Sequence, residues 1–194
     1  MMFNDLVFVE KIRQHKAKDM GLPKTGGVYK FWCDKERYCK FLRQLQTFGL
    51  KYDFDDIKSF LEKCVMDGKE YYCFYVGQTQ KSLAARVKSQ HIGAKQKKNP
   101  TKGSAISRST LRKSINALKN GAKVFNENDV DSVLNECLVQ WIALSGEAID
   151  DKERKEINSH IRLLNRDDFV DNAQEFLAIR GDIAKALKSA RTKK

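Results

Sequence analysis

Residues 27–33 read Gly-Val-Tyr-Lys-Phe-Trp-Cys, and residues 71–77 read Tyr-Tyr-Cys-Phe-Tyr-Val-Gly. Both stretches are rich in β-branched and aromatic residues, which predicts a β-strand in each of them. A turn-rich segment precedes each stretch, at residues 21–27 and at Met66-Asp67-Gly68-Lys69, so both strands have a defined start. Two such strands can pair in antiparallel orientation, and we expect this pairing to bring Tyr29 and Tyr75 together on the sheet.

The 45 residues between Tyr29 and Tyr75 predict a helical insertion over about 34–66. Apolar residues recur there at helical spacing in two groups, and Asp55 and Asp56 are candidate helix starts. The first group is Tyr38, Phe41, Leu42 and Leu45, and the second is Ile57, Phe60, Leu61 and Cys64. We interpret both groups as the packing faces of helices.

After the second strand, helical segments alternate with one further strand. The sequence predicts a helix over 81–90, a polar loop over 93–103, and a helix that Ser107 or Ser109 caps and that stops at Asn120-Gly121. The run 138–144 predicts a third strand, with a helix as the alternative, and helices follow from Asp150 or Asp151 and over about 172–188. We therefore expect an α/β (α+β) fold: a small mixed, largely antiparallel three-stranded sheet flanked by helices. One domain would span 1–194, with its core at about 22–166.

The formal net charge of +12 comes from one region of the chain. Between Lys81 and Lys123 lie twelve basic residues and no Asp or Glu, so the remainder of the chain is neutral in sum. Concentrated positive charge favours a polyanion such as DNA, and a solvated basic face without a partner is the alternative. The residues expected to contact nucleic acid are Lys81, Lys88, Lys95, Lys97, Lys98, Lys102, Arg108, Arg112 and Lys113.

Composition excludes several other classes of protein. The five cysteines are odd in number and lack C-x-x-C spacing, which indicates reduced core residues rather than a disulfide framework or a zinc site. No stretch approaches the roughly 20 apolar residues of a membrane span, and residues 1–20 do not resemble a signal peptide. We expect a cytoplasmic protein.

Four short motifs, in this order along the chain, resemble the GIY-YIG nuclease superfamily. They are Gly27-Val28-Tyr29, Tyr75-Val76-Gly77, the arginine helix Leu83-Ala84-Ala85-Arg86-Val87, and the set Glu153, Ile157 and Asn165. The resemblance covers about residues 22–166. The phrase Ser109-Thr110-Leu111-Arg112-Lys113-Ser114 also resembles a subgroup of stand-alone members of unsettled role.

The resemblance implies a role for five side chains in phosphodiester hydrolysis. Tyr29 would take a proton from the attacking water, and Arg86 would stabilise charge on the phosphate. Glu153 would bind one divalent ion, Mg²⁺ or Mn²⁺, since Mg²⁺ often takes a single protein carboxylate. Tyr75 would position the phosphate or a water, and Asn165 would brace the site. The alternatives are that the tyrosines are packed core aromatics and that Arg86 is one more surface cation.

Three further residues compete for a place in the site. Glu156 is the alternative to Glu153, but only Glu153 keeps the twelve-residue spacing to Asn165. The histidine that often follows the family's arginine by four residues is here His91, five residues after Arg86. On an α-helix an offset of five lies about 140° away, so we expect His91 outside the site unless the helix ends before it. His160 is expected to be a surface histidine.

The sequence thus predicts a metal-dependent DNA endonuclease with Tyr29 as general base, Arg86 as phosphate stabiliser and Glu153 as metal ligand. A nucleic-acid-binding module that keeps the fold without turnover is the alternative. The long insertion between the first two strands departs from the usual family pattern, and a partner surface or part of the DNA contact are the two roles that it could carry.

Overall fold

The computed structural model describes residues 2–93, 109–121, 125–165 and 174–192, without the side chains of residues 174–176. Within these residues one sheet contains five strands, in the spatial order β1-β5-β2-β4-β3. The strands are β1 (Val7–Phe8), β2 (Gly27–Asp34), β3 (Lys63–Met66), β4 (Lys69–Thr79) and β5 (Leu138–Ala143). The prediction of strands at 28–33, 71–76 and 138–144 is therefore confirmed.

The sheet differs from the predicted one in size and in direction. It has five described strands rather than three, and every neighbouring pair is antiparallel, so the expectation of a mixed sheet is wrong. Strand β1 has only two residues, and it pairs with β5 across more than a hundred residues of chain. A strand of two residues is too short to show an alternating pattern, and only its pairing with β5 makes it a strand.

Helices cover both faces of this sheet. The α-helices are α1 (Val9–Gln14), α2 (Lys35–Gln46), α3 (Phe54–Ile57), α4 (Thr110–Asn120), α5 (Glu127–Asn135), α6 (Glu147–Ser159) and α7 (Gln174–Thr192). A 3₁₀ turn occupies Lys58–Phe60, and a π-helix occupies Ala84–Ile92. The predicted cap of α4 is confirmed for Ser109, whose side chain accepts a hydrogen bond from the backbone N–H of Arg112, and Gly121 follows its last residue.

The insertion between β2 and β4 is only partly helical. Helix α2 buries Tyr38, Phe41, Leu42 and Leu45, as predicted. The second predicted helix is wrong beyond its first turns, because α3 and the 3₁₀ turn end before β3 begins at Lys63. Strand β3 and strand β4 are joined by Asp67-Gly68, both with positive φ, which is the backbone of a tight hairpin.

Alternation along β2 gives each face of the sheet its own core. Tyr29, Phe31 and Cys33 belong to the larger hydrophobic cluster. Val28 and Trp32 belong to a smaller cluster, to which α6 contributes Ile149 and Ile157. We refer to these sides as the Tyr29 face and the Lys30 face, since successive residues of a strand point to opposite faces.

The outer edge of β4 is only partly covered by β3. Strand β3 pairs with β4 no further than Tyr72, so the second half of β4 has a free side. The segment after α6 runs along this side, with the backbone N–H of Leu164 donating to the carbonyl of Phe74 at 3.0 Å. Among the described residues, no helix is both long and apolar enough to cross a bilayer.

Candidate active site

A cleft of about 230 Å³ lies at this open edge of β4. No further strand separates the two faces of the sheet beyond this edge, so helices from both faces can come together there. The π-helix and α4 reach the cleft from the Tyr29 face, and α6 reaches it from the Lys30 face. The cleft is lined by Tyr75, Gln78, Arg86, Thr110, Glu153 and Asn165, among others. Four of the five predicted catalytic residues therefore share one cavity.

The fifth, Tyr29, lies directly beneath the cleft floor. Its side chain is fully buried, and its hydroxyl lies against Gly77, one of the residues that line the cleft. A Cβ atom at residue 77 would be 2.5 Å from the Tyr29 hydroxyl oxygen, so any side chain there would collide with it. The glycine that ends the Tyr75-Val76-Gly77 motif thus leaves room for the phenol of Tyr29.

Two side chains of the π-helix hold the hydroxyl of Tyr29. Nε of Arg86 donates a hydrogen bond to this hydroxyl at 3.2 Å. Nε2 of His91 lies 2.6 Å from the same oxygen. Residues five apart share a face in a helix with i→i+5 hydrogen bonds, so the π-helix brings Arg86 and His91 together on Tyr29. The expectation that His91 points elsewhere is wrong, because it assumed α-helical geometry.

Burial and charge set the protonation of this pair. Burial raises the pKa of Tyr29 well above its ordinary value, Tyr75 adds to the rise, and Arg86 opposes it. Burial lowers the pKa of His91 well below its ordinary value, and repulsion from Arg86 and Arg112 lowers it further. Tyr29 is consequently a neutral phenol and His91 a neutral imidazole near pH 7.

Tyr75 stands beside Tyr29 across the β2–β4 pair. The ring centroids of the two tyrosines are 6.4 Å apart, which confirms that the antiparallel pairing brings them together. Burial raises the pKa of Tyr75 to about 12, while Arg86 lowers it and Glu153 raises it. Tyr75 is therefore a neutral hydroxyl at the cleft, suited to donate a hydrogen bond.

Helix α6 separates its two candidate glutamates. Glu153 lines the cleft, and its charge raises the pKa values of Tyr29 and Tyr75. Glu156 points to the Lys30 face, where its carboxylate oxygens form ion pairs with Lys30 at 2.5 Å and Lys152 at 2.6 Å. Glu153 lines the cleft and Glu156 does not, so Glu153 is the glutamate placed to serve a ligand there.

Asn165 attaches the segment after α6 to the edge of β4. Its side chain accepts a hydrogen bond from the backbone N–H of Val76 at 2.8 Å and donates one to the carbonyl of Val76 at 2.7 Å. Both backbone groups lie beyond the end of β3. The two bonds close the edge of the strand next to Tyr75, so Asn165 contributes to the shape of the cleft.

The cleft offers oxygen ligands for a divalent ion but no complete protein cage. Within residues 2–93, 109–121, 125–165 and 174–192, no group of three His, Cys, Asp or Glu side chains is close enough to hold a metal. Mg²⁺ usually keeps several waters and takes one or two carboxylates together with phosphate oxygens. A single carboxylate, Glu153, on a polar cleft fits that pattern, whereas it does not fit zinc.

The basic residues predicted to contact nucleic acid divide into four groups. Lys81, which precedes the π-helix in the sequence, and Lys113, which follows it in α4, are both exposed. Lys88 instead donates to the backbone carbonyls of Ile12 and His15 at the end of α1. Arg112 is wholly buried and ion-paired with Asp131, so the prediction that it contacts nucleic acid is wrong. Lys95, Lys97, Lys98, Lys102 and Arg108 lie outside the described residues.

Sequence reasoning missed several residues of the cleft and its surroundings. The spacing of His91 on an α-helix argued against its part in the site without excluding it, and Gln78 and Thr110 carried no recognisable signal. Asp150 accepts hydrogen bonds from Gln78 at 2.6 Å and from Gln80 at 3.2 Å, which ties the start of α6 to the end of β4. His160 lies at the end of α6, where Nδ1 is 2.9 Å from the hydroxyl oxygen of Ser159.

The hydroxyl of a buried tyrosine is hydrogen-bonded to a guanidinium and an imidazole, and the cleft beside it contains one carboxylate. This arrangement is consistent with a nuclease-type hydrolase. The comparison with protein families agrees with this class. The family model described as the GIY-YIG catalytic domain matches residues 27–193, and the chain belongs to the GIY-YIG family. Comparisons with curated proteins and with solved structures gave no match.

Proposed function

We propose that this protein is a divalent-metal-dependent endonuclease that hydrolyses phosphodiester bonds of DNA. The observation that carries the proposal is the pair of hydrogen bonds on the Tyr29 hydroxyl, directly beneath a cleft that contains Arg86 and Glu153. A packed core tyrosine would not require a guanidinium donor and a neutral imidazole at its oxygen.

Tyr29 acts as the general base, with His91 as its proton acceptor. A phenol whose pKa is raised by burial does not ionise by itself, so it needs a partner that takes its hydrogen. Nε2 of the neutral His91, at 2.6 Å, is within transfer distance. As Tyr29 receives a proton from the attacking water, its own proton can pass to His91, and no phenolate has to persist in the buried site.

Arg86 serves both the base and the phosphate. Its Nε donates to the hydroxyl of Tyr29, which opposes the rise in the pKa of Tyr29 and favours release of its proton to His91, and its Nη1 donates to Gln90 Oε1 at 2.5 Å. The guanidinium lines the cleft, and its side chain is half-buried, where charge is screened less than in bulk water. A planar fork of donors suits the charge that builds on phosphoryl oxygens in the transition state.

Glu153 would hold the divalent ion, Mg²⁺ or Mn²⁺, and Tyr75 would position a phosphate oxygen or a water. A bound divalent ion supplies Lewis-acid stabilisation of negative charge on phosphate oxygens. The neutral hydroxyl of Tyr75 is buried beside the cleft and can donate to an anionic oxygen. Asn165 keeps the edge of β4 in place behind these groups.

The net charge supports a nucleic acid as the substrate. Twelve basic residues and no acidic residue lie between Lys81 and Lys123, and this segment contains Arg86 of the cleft. The positive potential would draw a polyanion toward the cleft and would make binding dependent on salt.

A nicking assay tests the proposal directly. Supercoiled plasmid, linear duplex and branched DNA are incubated with the protein in Mg²⁺, in Mn²⁺ and in EDTA. We expect cleavage with either metal and none in EDTA. Tight, salt-dependent DNA binding without cleavage in any metal would instead identify a nucleic-acid-binding module.

A further inference from the structure

The segment Ser109-Thr110-Leu111-Arg112, which opens α4, contacts His91 at two separate points. Ser109 and Arg112 are three residues apart, so they share one face of the helix. We propose that Ser109 and Arg112 are positioning residues that fix the orientation and the tautomer of His91, a proposal that rests on the proposed role of His91 as the proton acceptor of Tyr29. The motif then acts on catalysis without touching the substrate.

Ser109 contacts the ring of His91. Its hydroxyl oxygen lies 2.7 Å from Nδ1, the ring nitrogen opposite to the one that faces Tyr29. The same oxygen accepts the backbone N–H of Arg112 at 3.1 Å as the N-cap of α4. Ser109 is completely buried, so its hydroxyl has a fixed environment. The cap of α4 and the orientation of His91 consequently depend on one oxygen atom.

Arg112 contacts the backbone of His91. Its Nη1 donates to the carbonyl of His91 at 3.0 Å and to Asp131 at 2.6 Å, while the other oxygen of Asp131 pairs with Arg13 at 2.8 Å. The π-helix ends at Gly93 with a φ of 73°, and a Cβ there would lie 3.2 Å from Nη1 of Arg112. Glycine at this position thus allows both the left-handed turn and the close approach of Arg112.

The proposed transfer of a proton from Tyr29 to His91 fixes which nitrogen of His91 must carry its own proton. The hydroxyl oxygen of Tyr29 accepts from Arg86, and in the proposed arrangement its hydrogen is directed to Nε2 of His91, 2.6 Å away. A neutral imidazole that accepts at Nε2 carries its hydrogen on Nδ1. That hydrogen is donated to Ser109, whose oxygen has a second lone pair for the N–H of Arg112. Ser109 therefore stabilises the tautomer that leaves Nε2 ready for the proton of Tyr29.

The tautomer can be measured by ¹⁵N NMR on protein labelled at its histidines, without DNA or metal. The chain has three histidines, His15, His91 and His160, and a His91→Gln variant assigns the signals of interest. We expect His91 to be protonated at Nδ1 in the wild type and in Ser109→Thr, which keeps the hydroxyl. In Ser109→Ala we expect the Nε2-protonated form to gain population. An Nε2-protonated ring in the wild type, or an unchanged ring in Ser109→Ala, would overturn the proposal.

Loss of a helix cap is controlled by Asp34→Ala. Asp34 caps α2 at the far end of β2 from Tyr29, and it also pairs with Lys69, so its loss removes a helix cap and an ion pair away from His91. This variant should leave the His91 signals unchanged. Both contacts of Arg112 come from Nη1, and the amine of a lysine ends one bond short of that atom. Arg112→Lys therefore keeps a charge near Asp131 but cannot keep both contacts, and its His91 signals should shift. Unchanged signals in Arg112→Lys would remove Arg112 from the proposal.

Cleavage kinetics provide the second readout. Loss of a partner that orients a metal-ligating histidine typically lowers metal affinity or activity by about 10-fold to 100-fold, and we expect a similar scale for a partner that orients His91. Ser109→Ala should therefore lower the rate at saturating DNA by about tenfold or more, with the DNA affinity unchanged, and Ser109→Thr should restore most of it. If the wild type cleaves nothing but the NMR results hold, the nuclease proposal fails and the positioning of His91 stands. If the wild type cleaves DNA and Ser109→Ala cleaves it equally fast, the positioning proposal fails alone.

Discussion

Tyr29 and Lys30 are neighbours in β2, yet they belong to two polar centres of different kinds. The hydroxyl of Tyr29 lies under an open cleft and bonds to two side chains of the π-helix. Lys30 is only 3% exposed on the other face, where its amine pairs with Glu62 at 2.6 Å and with Glu156 at 2.5 Å. Arg162 completes this second centre by pairing with Glu62. Helix α6 supplies one glutamate to each centre.

The two centres differ in whether their charged side chains are enclosed by the protein or line the cleft. In the cluster around Lys30, opposite charges face one another inside the protein, so the cluster holds α6 and the segment after it against the sheet. Around Tyr29, the guanidinium of Arg86 and the carboxylate of Glu153 both line a space that a ligand can enter. A polar centre that is closed stabilises the fold, whereas one that opens on a cleft can act on a substrate.

The strongest test of this contrast exchanges the two glutamates of α6 for glutamine, one at a time. Glu153→Gln should reduce cleavage below detection, since a metal ion contributes several kcal/mol of transition-state stabilisation, and DNA affinity should stay nearly the same. Glu156→Gln should keep most of the activity and lose stability instead. Initial rates and DNA affinity of both purified variants decide the matter. An inactive Glu156→Gln beside an active Glu153→Gln would reverse the assignment.

Replacing the base and the guanidinium should have the next largest effect. Tyr29→Phe and Arg86→Ala should each lower turnover by about a hundredfold or more, the scale of one lost general base or charge stabiliser. Tyr38→Phe is the matched control, because Tyr38 is also fully buried but its hydroxyl has no hydrogen-bond partner among the described residues. Single-turnover rates should separate the three variants, and equal rates in all of them would remove Tyr29 from the site.

Lys30→Met probes the closed centre. The substitution leaves Glu62 and Glu156 without their shared cation, and breaking a buried pair in this way costs about 3 kcal/mol or more. We expect urea denaturation to show this loss while the folded variant keeps its single-turnover rate. The double variant Lys30→Met with Glu156→Gln should recover part of the stability, since less unpaired charge remains. A stable Lys30→Met that has lost activity would make the cluster part of the active site.

His91 should leave a signature in the dependence of stability on pH. Its folded pKa lies below the unfolded value near 6.5, so the unfolded chain binds more protons and stability falls as the pH drops below about 6.5. His91→Gln should flatten the urea midpoint between about pH 7.5 and 5. Burial and Arg162 also lower the pKa of His160, and His160→Gln should remove a smaller share. An unchanged profile in His91→Gln would mean that His91 is not buried as a neutral ring.

The smallest effect on cleavage is expected when surface cations are replaced. Binding to duplex DNA should weaken with salt by roughly 0.9 log units per log unit of salt for each phosphate contact. Lys81→Ala with Lys113→Ala should flatten this slope, and replacing Lys95, Lys97, Lys98 and Lys102 together should flatten it more, with little change in the rate at saturation. Lys35→Ala with Lys40→Ala removes two exposed cations of α2 as a control. A control slope that falls equally would show that the positive field acts without specific contacts.

Local sequence signals predicted the elements that carry most of the site. The aromatic and β-branched runs predicted β2, β4 and β5, the serine before α4 predicted its cap, and Asp67-Gly68 predicted a turn. These features depend on backbone preferences and side-chain spacing within a few residues, which are present in the chain before it folds. The family motifs likewise identified residues that the fold brings to one cleft.

Only the tertiary structure decided the position of His91, the burial of Arg112 and the strands β1 and β3. A π-helix and an α-helix share nearly the same sequence preferences, so spacing alone could not indicate that Arg86 and His91 meet on Tyr29. The π-helix is instead held by distant contacts, from Lys88 to the end of α1 and from Arg112 to the carbonyl of His91. Arg112 likewise reads as a surface cation until Asp131, nineteen residues away, balances its charge in the interior. Each of these outcomes depends on a partner that is remote in sequence, and the folded chain alone brings the partners together.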